Sequence, residues 1–490
     1  LSKPTAFQQI RGLKPNYWFA NWMEAQERLA FFGARAILPL YMVYAVAQGG
    51  LGLTYGEKGL IYSIWAIIQC LVPMVSGGFT DQYGYKKSLY VAYSINILGY
   101  LSFAFAGGFW GALGAACLIG LGTAIFKPPV QGTIAKASTA DNSSIAWGIF
   151  YWMVNVGGFL APVLAANIRG ETNFKLVFIC AAGVTAFNFI PAIFFYREPE
   201  KVGESKYKSV GQTFMDTIST LKDKNFLIFL GIFSGFWFMF MQLWDLLPNF
   251  IDEWVTSKDI APFFAAISPG NVLASGNVKP EMLINIDAFA IILLMIPIAW
   301  MTGKFHPMVA LIGGMIVSVV AFVFAGVTQV GMVVALAIFI FAIGEMMCSP
   351  KFSEYIGLTA PPDKKALYMG YSNIPFAVGW GLGNFISGFL YESLGSKMNF
   401  ARQYLVENLG MAKAQVDQIP LENVMATLAS KMNGGQGASL DEATRVLWDL
   451  HHPYLVWIVL GALGLISTLA MVGYYMKTKH TGISSNTAVS

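Results

Sequence analysis

The stretch NWMEAQERLAFFGARAIL, residues 21–38, places two carboxylates and two guanidinium groups inside what otherwise reads as a long apolar helix. On a helix Glu24, Glu27, Arg28, Phe31 and Arg35 recur at i, i+3, i+4, i+7 and i+11, so all five fall near one face. In water such a stripe would be a solvated surface. Here its neighbours are apolar on every side, and the composition of the chain explains why. Of 490 residues, 56% are hydrophobic and 12% charged, with a mean hydropathy of +0.57, against roughly 25% charged in soluble domains. The sequence is that of a membrane protein. A charge at mid-membrane costs about 2.5–3.5 kcal/mol on insertion scales and is turned toward a partner or a water-filled cavity. The charged face of this helix is therefore expected to line the interior of a helix bundle.

Twelve apolar runs of about twenty residues follow one another, at approximately 17–47, 57–79, 88–107, 109–136, 144–168, 174–196, 225–252, 283–301, 307–326, 329–356, 366–395 and 453–476. The polar stretch REPEKVGESKYKSVGQTFMDTISTLKDK divides them six and six. The expectation is an all-α membrane protein of twelve transmembrane helices in two six-helix bundles. Residues 1–196 form the first, 197–224 a cytoplasmic linker, 225–476 the second and 477–490 a cytoplasmic tail. Lysines and arginines on the linker's side number eighteen against ten on the other, which puts both termini in the cytoplasm by the positive-inside rule. The expected location is the plasma or an inner membrane, with the lipid bilayer as partner. The opening LSKPTAFQQIRGLKPNYW lacks the charged, apolar and cleavage regions of a signal peptide, so the first apolar helix is expected to be retained.

Two loops on the outer side are long, 253–282 and 396–452. In the second, Ser439 and Glu442 have capping-box spacing ahead of the amphipathic run SLDEATRVLWDL, which predicts short surface helices. Fifty-odd residues with few chemically active groups make too small a core for a catalytic domain. No nucleophile–base pair or metal constellation occurs in the spans, so an enzyme is not expected. Cys70, Cys117, Cys180 and Cys348 lie singly in apolar runs and read as small buried hydrophobes. His306, His451, His452 and His480 lie at helix ends or in loops, and no metal site is expected. The basic residues form no stripe interleaved with aromatics, which argues against nucleic acid as a partner.

The first loop of the amino-terminal half reads GGFTDQYGYKK, with Gly77, Asp81, Gly84, Lys86 and Lys87. It resembles the loop signature of the major facilitator superfamily. The second-half counterpart, WMTGKFHP, is degenerate. Two further charges interrupt apolar spans, Lys127 in GTAIFKPPVQGT and Glu345 in GEMMCSPKFSEY. Three acids and three bases in the membrane suit ion pairs that exchange partners. A static neutral network pinning the helices is the plainer alternative, but buried pairs cost more than packed apolar residues.

Four segments carry a narrower resemblance. EAQERLAFFGARAIL is similar to the ExxERFxYYGxRAIL segment of the proton-dependent oligopeptide transporter family, GTAIFKPPV to its GTGxxKPxV, FYWMVNVGGFLAP to its FYxxINxGxxxxP and GEMMCSP to its GExxxSP. The resemblance implies that Glu24, Glu27 and Arg28 couple to protons. It implies that Arg35 and Lys127 favour a peptide carboxylate, Glu345 a peptide amino group, and that Asn155 lines the same cavity. Two cations at one end and an anion at the other suit a zwitterion on chemical grounds as well.

Departures from the family pattern are visible. Phe31 and Phe32 stand where the family has tyrosines, and Met241 precedes Gln242 where it has a glutamate. The eighth-helix Asn-Pro has no clear match, with Asn285 and Asp287 nearby, and the eleventh-helix tryptophan is not in place, with Tyr371 close. Phe31, Phe32, Gln242 and Tyr371 are expected to line the cavity. Asp245 lies four residues after Met241 on the same helix face, about 6 Å further out, and is expected to pair with Arg35 as an outer gate. The leading expectation is a transporter importing short peptides or related zwitterions by alternating access, with the proton as coupling ion and no other cofactor. A divergent relative carrying an organic anion or drug is the alternative within transport; a receptor or scaffold without transport is the alternative outside it.

Overall fold

The computed structural model describes residues 10–73, 76, 80, 83–137, 143–198, 224–302, 304–359 and 371–479. Gly77 and Asp81 of the loop motif, His480, residues 199–223 of the expected linker and 480–490 of the expected tail lie outside the described residues. The described part is helical, with two isolated β-bridges, Thr256 to Val330 and Val272 to Val278.

The amino-terminal half runs through α1 (Pro15–Val43), α2 (Tyr55–Leu71), α3 (Tyr85–Ala104), α4 (Gly108–Ala137), α5 (Ser143–Arg169) and α6 (Phe174–Phe187), with a π-helical turn at Pro191–Phe195. Helix α1 begins on Pro15, whose missing N–H costs nothing in a first turn. Helix α2 begins on a reciprocal cap: Thr54 Oγ1 accepts from the Glu57 amide at 3.1 Å and the Thr54 amide donates to Glu57 Oε2 at 2.9 Å.

The carboxy-terminal half opens with a broken rod of three pieces, α7 (Lys224–Phe240), α8 (Gln242–Asp245) and α9 (Leu247–Trp254). Pro248 has no N–H to offer the carbonyl four residues back, which bends the rod just beyond Asp245. After the short α10 (Ala261–Ile267) comes a second interrupted rod, α11 (Pro280–Ile284) and α12 (Ile286–Thr302), broken at Asn285. Helices α13 (Pro307–Gly326), α14 (Gly331–Thr359) and α15 (Asn373–Leu394) follow. Four short helices, α16 (Lys397–Glu407), α17 (Lys413–Asp417), α18 (Val424–Lys431) and α19 (Leu440–His451), occupy the loop before α20 (Leu455–Thr478). The surface helices expected in 396–452 are present, and Ser439 caps α19 by accepting from the Glu442 amide at 3.1 Å.

Among the described residues, seven segments are long and apolar enough to cross a membrane: 108–134, 174–195, 224–245, 280–298, 307–326, 331–356 and 455–478. Helices α1, α2, α3, α5 and α15, of 29, 17, 20, 27 and 22 residues, pack alongside them. Helix α1 is kept out of the apolar set by Glu24, Glu27, Arg28 and Arg35.

Each half has its own core. Ile37, Tyr41, Phe103 and Phe178 pack in the first, and Phe229, Phe233, Phe352 and Trp457 in the second. At the end bearing the long loops Val43, Tyr55 and Ala166 of the first half join the second half's core. There α2 lies directly on α15. A Cβ on Gly59 would strike the Asn384 carbonyl, and one on Gly388 the Tyr55 carbonyl, so this approach requires glycine on both helices.

Candidate functional site

The charged face of α1 is buried and divided between two contacts. Nearer its start, Glu24 and Glu27 are fully buried and Arg28 nearly so. Lys127 Nζ of α4 donates to Glu24 Oε1 at 2.7 Å, and Arg28 Nε lies 3.4 Å from the same oxygen. Arg28 Nε also donates to Glu27 Oε2 at 2.6 Å, and Thr123 Oγ1 lies 3.4 Å from Glu27 Oε1. The quartet holds two acids and two bases, so it enters the low-dielectric interior as a neutral unit. The Arg28 guanidinium stands 4.6 Å from the Phe31 ring centre and 5.5 Å from that of Phe32. Gly157 of α5 leaves the space in which the Arg28 stem packs.

Two turns along, Arg35 crosses to the other half and forms an ion pair with Asp245. The other Asp245 oxygen accepts from Trp380 Nε1 at 2.8 Å. Arg35 is sandwiched among Trp380, Tyr62 and Trp65, with ring centres 4.4, 4.7 and 5.3 Å from its guanidinium carbon. Beside it Lys58 Nζ, also buried, donates to the Asp245 carbonyl and to Asn249 Oδ1, each at 2.6 Å, and Asn249 Nδ2 donates to the Pro39 carbonyl at 2.9 Å.

Further toward the loop-bearing end, Tyr55 and Tyr391 donate to the two oxygens of Glu253 at 2.5 and 3.0 Å. Helix α5 closes the opposite side: Arg169 Nε donates to Glu281 Oε1 at 2.9 Å, and Lys279 Nζ to the Ala166 carbonyl at 2.5 Å. The described polar contacts joining the halves concentrate on this end. Outside the spans, burial lowers the Lys279 ammonium from its ordinary value, with the Arg169 charge adding to the effect.

Between the halves lies a cavity of about 250 Å³. Arg35, Phe32 and Asn155 line it from the first half; Met241, Trp244, Asn285, Asp287 and Glu345 line it from the second. The interruptions at Leu246 and Asn285 thus fall beside the cavity, which Trp244, Pro248 and Asn285 line, rather than against lipid.

Several expected placements differ. Lys127 is absent from the cavity lining, because its ammonium is drawn to Glu24. Phe31 faces Trp65 edge-on at 5.9 Å in the first half's core. Gln242 is turned toward α15, where it accepts from Ser387 Oγ at 2.7 Å and donates to the Phe238 carbonyl at 3.0 Å. Tyr371 is buried against Phe226, ring centres 6.3 Å apart. The eleventh-span tryptophan read as missing has a counterpart in space, since Trp380 of α15 reaches both Arg35 and Asp245. Sequence reasoning also passed over Lys58 and the Arg169–Glu281 pair, and it named Asp287 without giving it a role. Asp287 had one legible sign, an acid within the apolar run INIDAFAIILL; Lys58 and Arg169 stand near helix ends and read as loop charges.

A helical, two-halved membrane protein with buried ion pairs facing a central cavity defines a transporter class, and the sequence comparisons agree. The family model described as Major Facilitator Superfamily matches residues 28–383; the chain belongs to that superfamily. Within it the relatives bear out the resemblance to the proton-dependent oligopeptide transporters. A di-/tripeptide transporter of Lactococcus lactis subsp. lactis is 27% identical over 268 residues, 53% of this chain and 51% of that one. The multidrug resistance protein MdtH of Blochmanniella pennsylvanica is 23% identical over 373 residues, 76% of this chain and 84% of that one. The match thus spans about half the length of the peptide-transporting relative. A crystal structure of a POT family transporter in complex with 5-aminolevulinic acid superposes with a TM-score of 0.69, covering 94% of this chain and 96% of that one at 16% identity, a likeness of fold.

Proposed function

We propose that the protein is a proton-coupled secondary active transporter that imports short peptides or related zwitterions by alternating access of two six-helix bundles. All twelve long helices would span the membrane, both termini would lie in the cytoplasm, and the loop-bearing end would face outward. The observation that carries the reading is the neutral quartet of Glu24, Glu27, Arg28 and Lys127 beside a cavity that the Arg35–Asp245 pair closes off.

In this reading a proton arriving at Glu24 cancels the charge that holds Lys127, whose ammonium is then free to swing toward a cargo carboxylate. Arg28 stays paired with Glu27 meanwhile, so one proton changes one pairing rather than collapsing the network. Arg35 has two calls on it, Asp245 when the outer end is closed and the cargo when that end opens. Exchange of partners of this kind links the proton, the cargo and the closure of one end, which is what coupled transport requires. The aromatic box of Tyr62, Trp65 and Trp380 keeps the Arg35 guanidinium in place without neutralising it.

The 84% coverage of a multidrug resistance protein favours, as a second reading, a relative that carries a non-peptide solute. Proteoliposomes enclosing a pH-sensitive dye separate these readings. External dialanine is expected to acidify the interior. Acidification by a drug but not by any peptide would select the second reading, and no response to any solute would remove both.

A further inference from the structure

Charge accounting around the cavity singles out its carboxy-terminal wall. Arg35 is neutralised by Asp245, and Glu281 by Arg169. Asp287 of α12 and Glu345 of α14 line the same cavity, and among the described residues neither forms an ion pair. Asp287 is only 1% exposed, and neither of its carboxylate oxygens, nor Oε2 of Glu345, has a hydrogen-bond partner. The two helices pack along one another and each carboxylate lies within electrostatic reach of the other. A buried carboxylate without donor or counter-charge is unfavourable, and two that repel each other are more so. With both carboxylates ionised the wall carries two negative charges in excess, more than the single ammonium of a zwitterion balances.

We infer that Asp287 and Glu345 form a two-carboxylate site for cationic nitrogens of the cargo, so that the cavity selects solutes of net positive charge, with a short peptide bearing a lysine side chain as the fitting class. Such a peptide offers its amino terminus and its side-chain ammonium to the two acids, while its carboxylate faces Arg35 across the cavity. A peptide with an acidic side chain would bring a third negative charge to the same wall. Met241 and Trp244 supply apolar surface for the stem between the charged ends. The inference deepens the proposed function, on which it rests for taking this cavity as the cargo site.

Binding of Lys-Ala, Ala-Ala, Glu-Ala and 1,4-diaminobutane to the purified full chain, read by calorimetry, tests it. Lys-Ala is expected to bind more tightly than Glu-Ala by about tenfold or more, equivalent to about 1.4 kcal/mol. Asp287→Asn should erase that advantage and Asp287→Glu, which keeps the charge, should retain it. Equal binding of Lys-Ala and Glu-Ala to the unmodified protein would mean that the pair holds only a proton, and would overturn the inference; so would an advantage that survives Asp287→Asn. If no peptide binds but 1,4-diaminobutane binds the unmodified protein and not Asp287→Asn, the peptide reading fails and the cationic site stands. If neither peptides nor the diamine bind, the cationic site falls.

Discussion

Across one cavity the protein handles buried acids in two ways. On the amino-terminal side Glu24 and Glu27 each meet a cation, Arg28 bridging both and Lys127 capping one. On the carboxy-terminal side Asp287 and Glu345 meet none of the described cations, although both are in the cavity wall. The difference teaches where each function can reside. A balanced group changes state when one proton unbalances it, so it can sense protons without needing cargo. An unbalanced pair is completed only from outside the protein, so it can sense cargo. The stabilities of variants on the two sides should accordingly move in opposite directions.

The largest effect is expected from Arg28→Gln, which gives the amino-terminal side the imbalance of the other. Leaving buried carboxylates without their partner typically costs about 3–5 kcal/mol. The thermal midpoint in detergent should fall strongly, and adding Glu27→Gln should recover a large part of the loss. A midpoint within error of the parent for Arg28→Gln would mean that the quartet is hydrated rather than neutralised by pairing.

A smaller effect is expected at the latch. Arg35→Ala, Asp245→Ala and the double variant form a cycle in which direct partners couple by about 0.5–3 kcal/mol. Spin labels on the loop-bearing ends of α2, in the first half, and α9, in the second, should report wider separations in each single variant. Additive losses with unchanged separations would reduce the Arg35–Asp245 contact to one packing detail among many. Smallest, and opposite in sign, is Asp287→Asn. Removing one of two repelling carboxylates should leave the cargo-free protein as stable as before or raise it by on the order of 1 kcal/mol. A clear loss of stability would reveal a cation partner for Asp287 and erase the contrast between the two walls.

The charged face of α1 and the latch were legible because helical spacing is rigid, whereas the pairing of Lys127 with Glu24 was not, since Lys127 was expected at the cargo carboxylate. Charges three and four residues apart on α1 have to share a face, and that face has to avoid lipid. The same arithmetic brought Asp245 to the level of Arg35, one turn beyond Met241. What was not legible depends on rotation and register between helices. Gln242 and Tyr371 were assigned to the cavity from the family pattern, but Gln242 faces Ser387 of α15, and Tyr371, just ahead of α15, packs against Phe226. Trp380 escaped because it stands in the glycine-rich run AVGWGLGN, where small residues on every side leave the facing helix undefined until α2 packs onto it. Lys58 follows the Thr54–Glu57 cap closely and resembles an exposed first-turn residue; only the approach of α9 buries it. Asp287 could be noticed in sequence but not interpreted, since the meaning of an unpaired acid lies in the partners that surround it in space.

The central claim is that the quartet on α1 and α4 couples proton entry to cargo movement. It is tested most directly by measuring, in the same proteoliposomes, dialanine accumulation driven by an inward proton gradient and dialanine exchange at equal concentrations without a gradient, for the parent, Glu24→Gln and Glu27→Gln. The account predicts that accumulation is lost in the variants while exchange persists, because a permanently neutral side chain removes the proton's work without removing the cavity. Accumulation in both variants at the parent's level would contradict it.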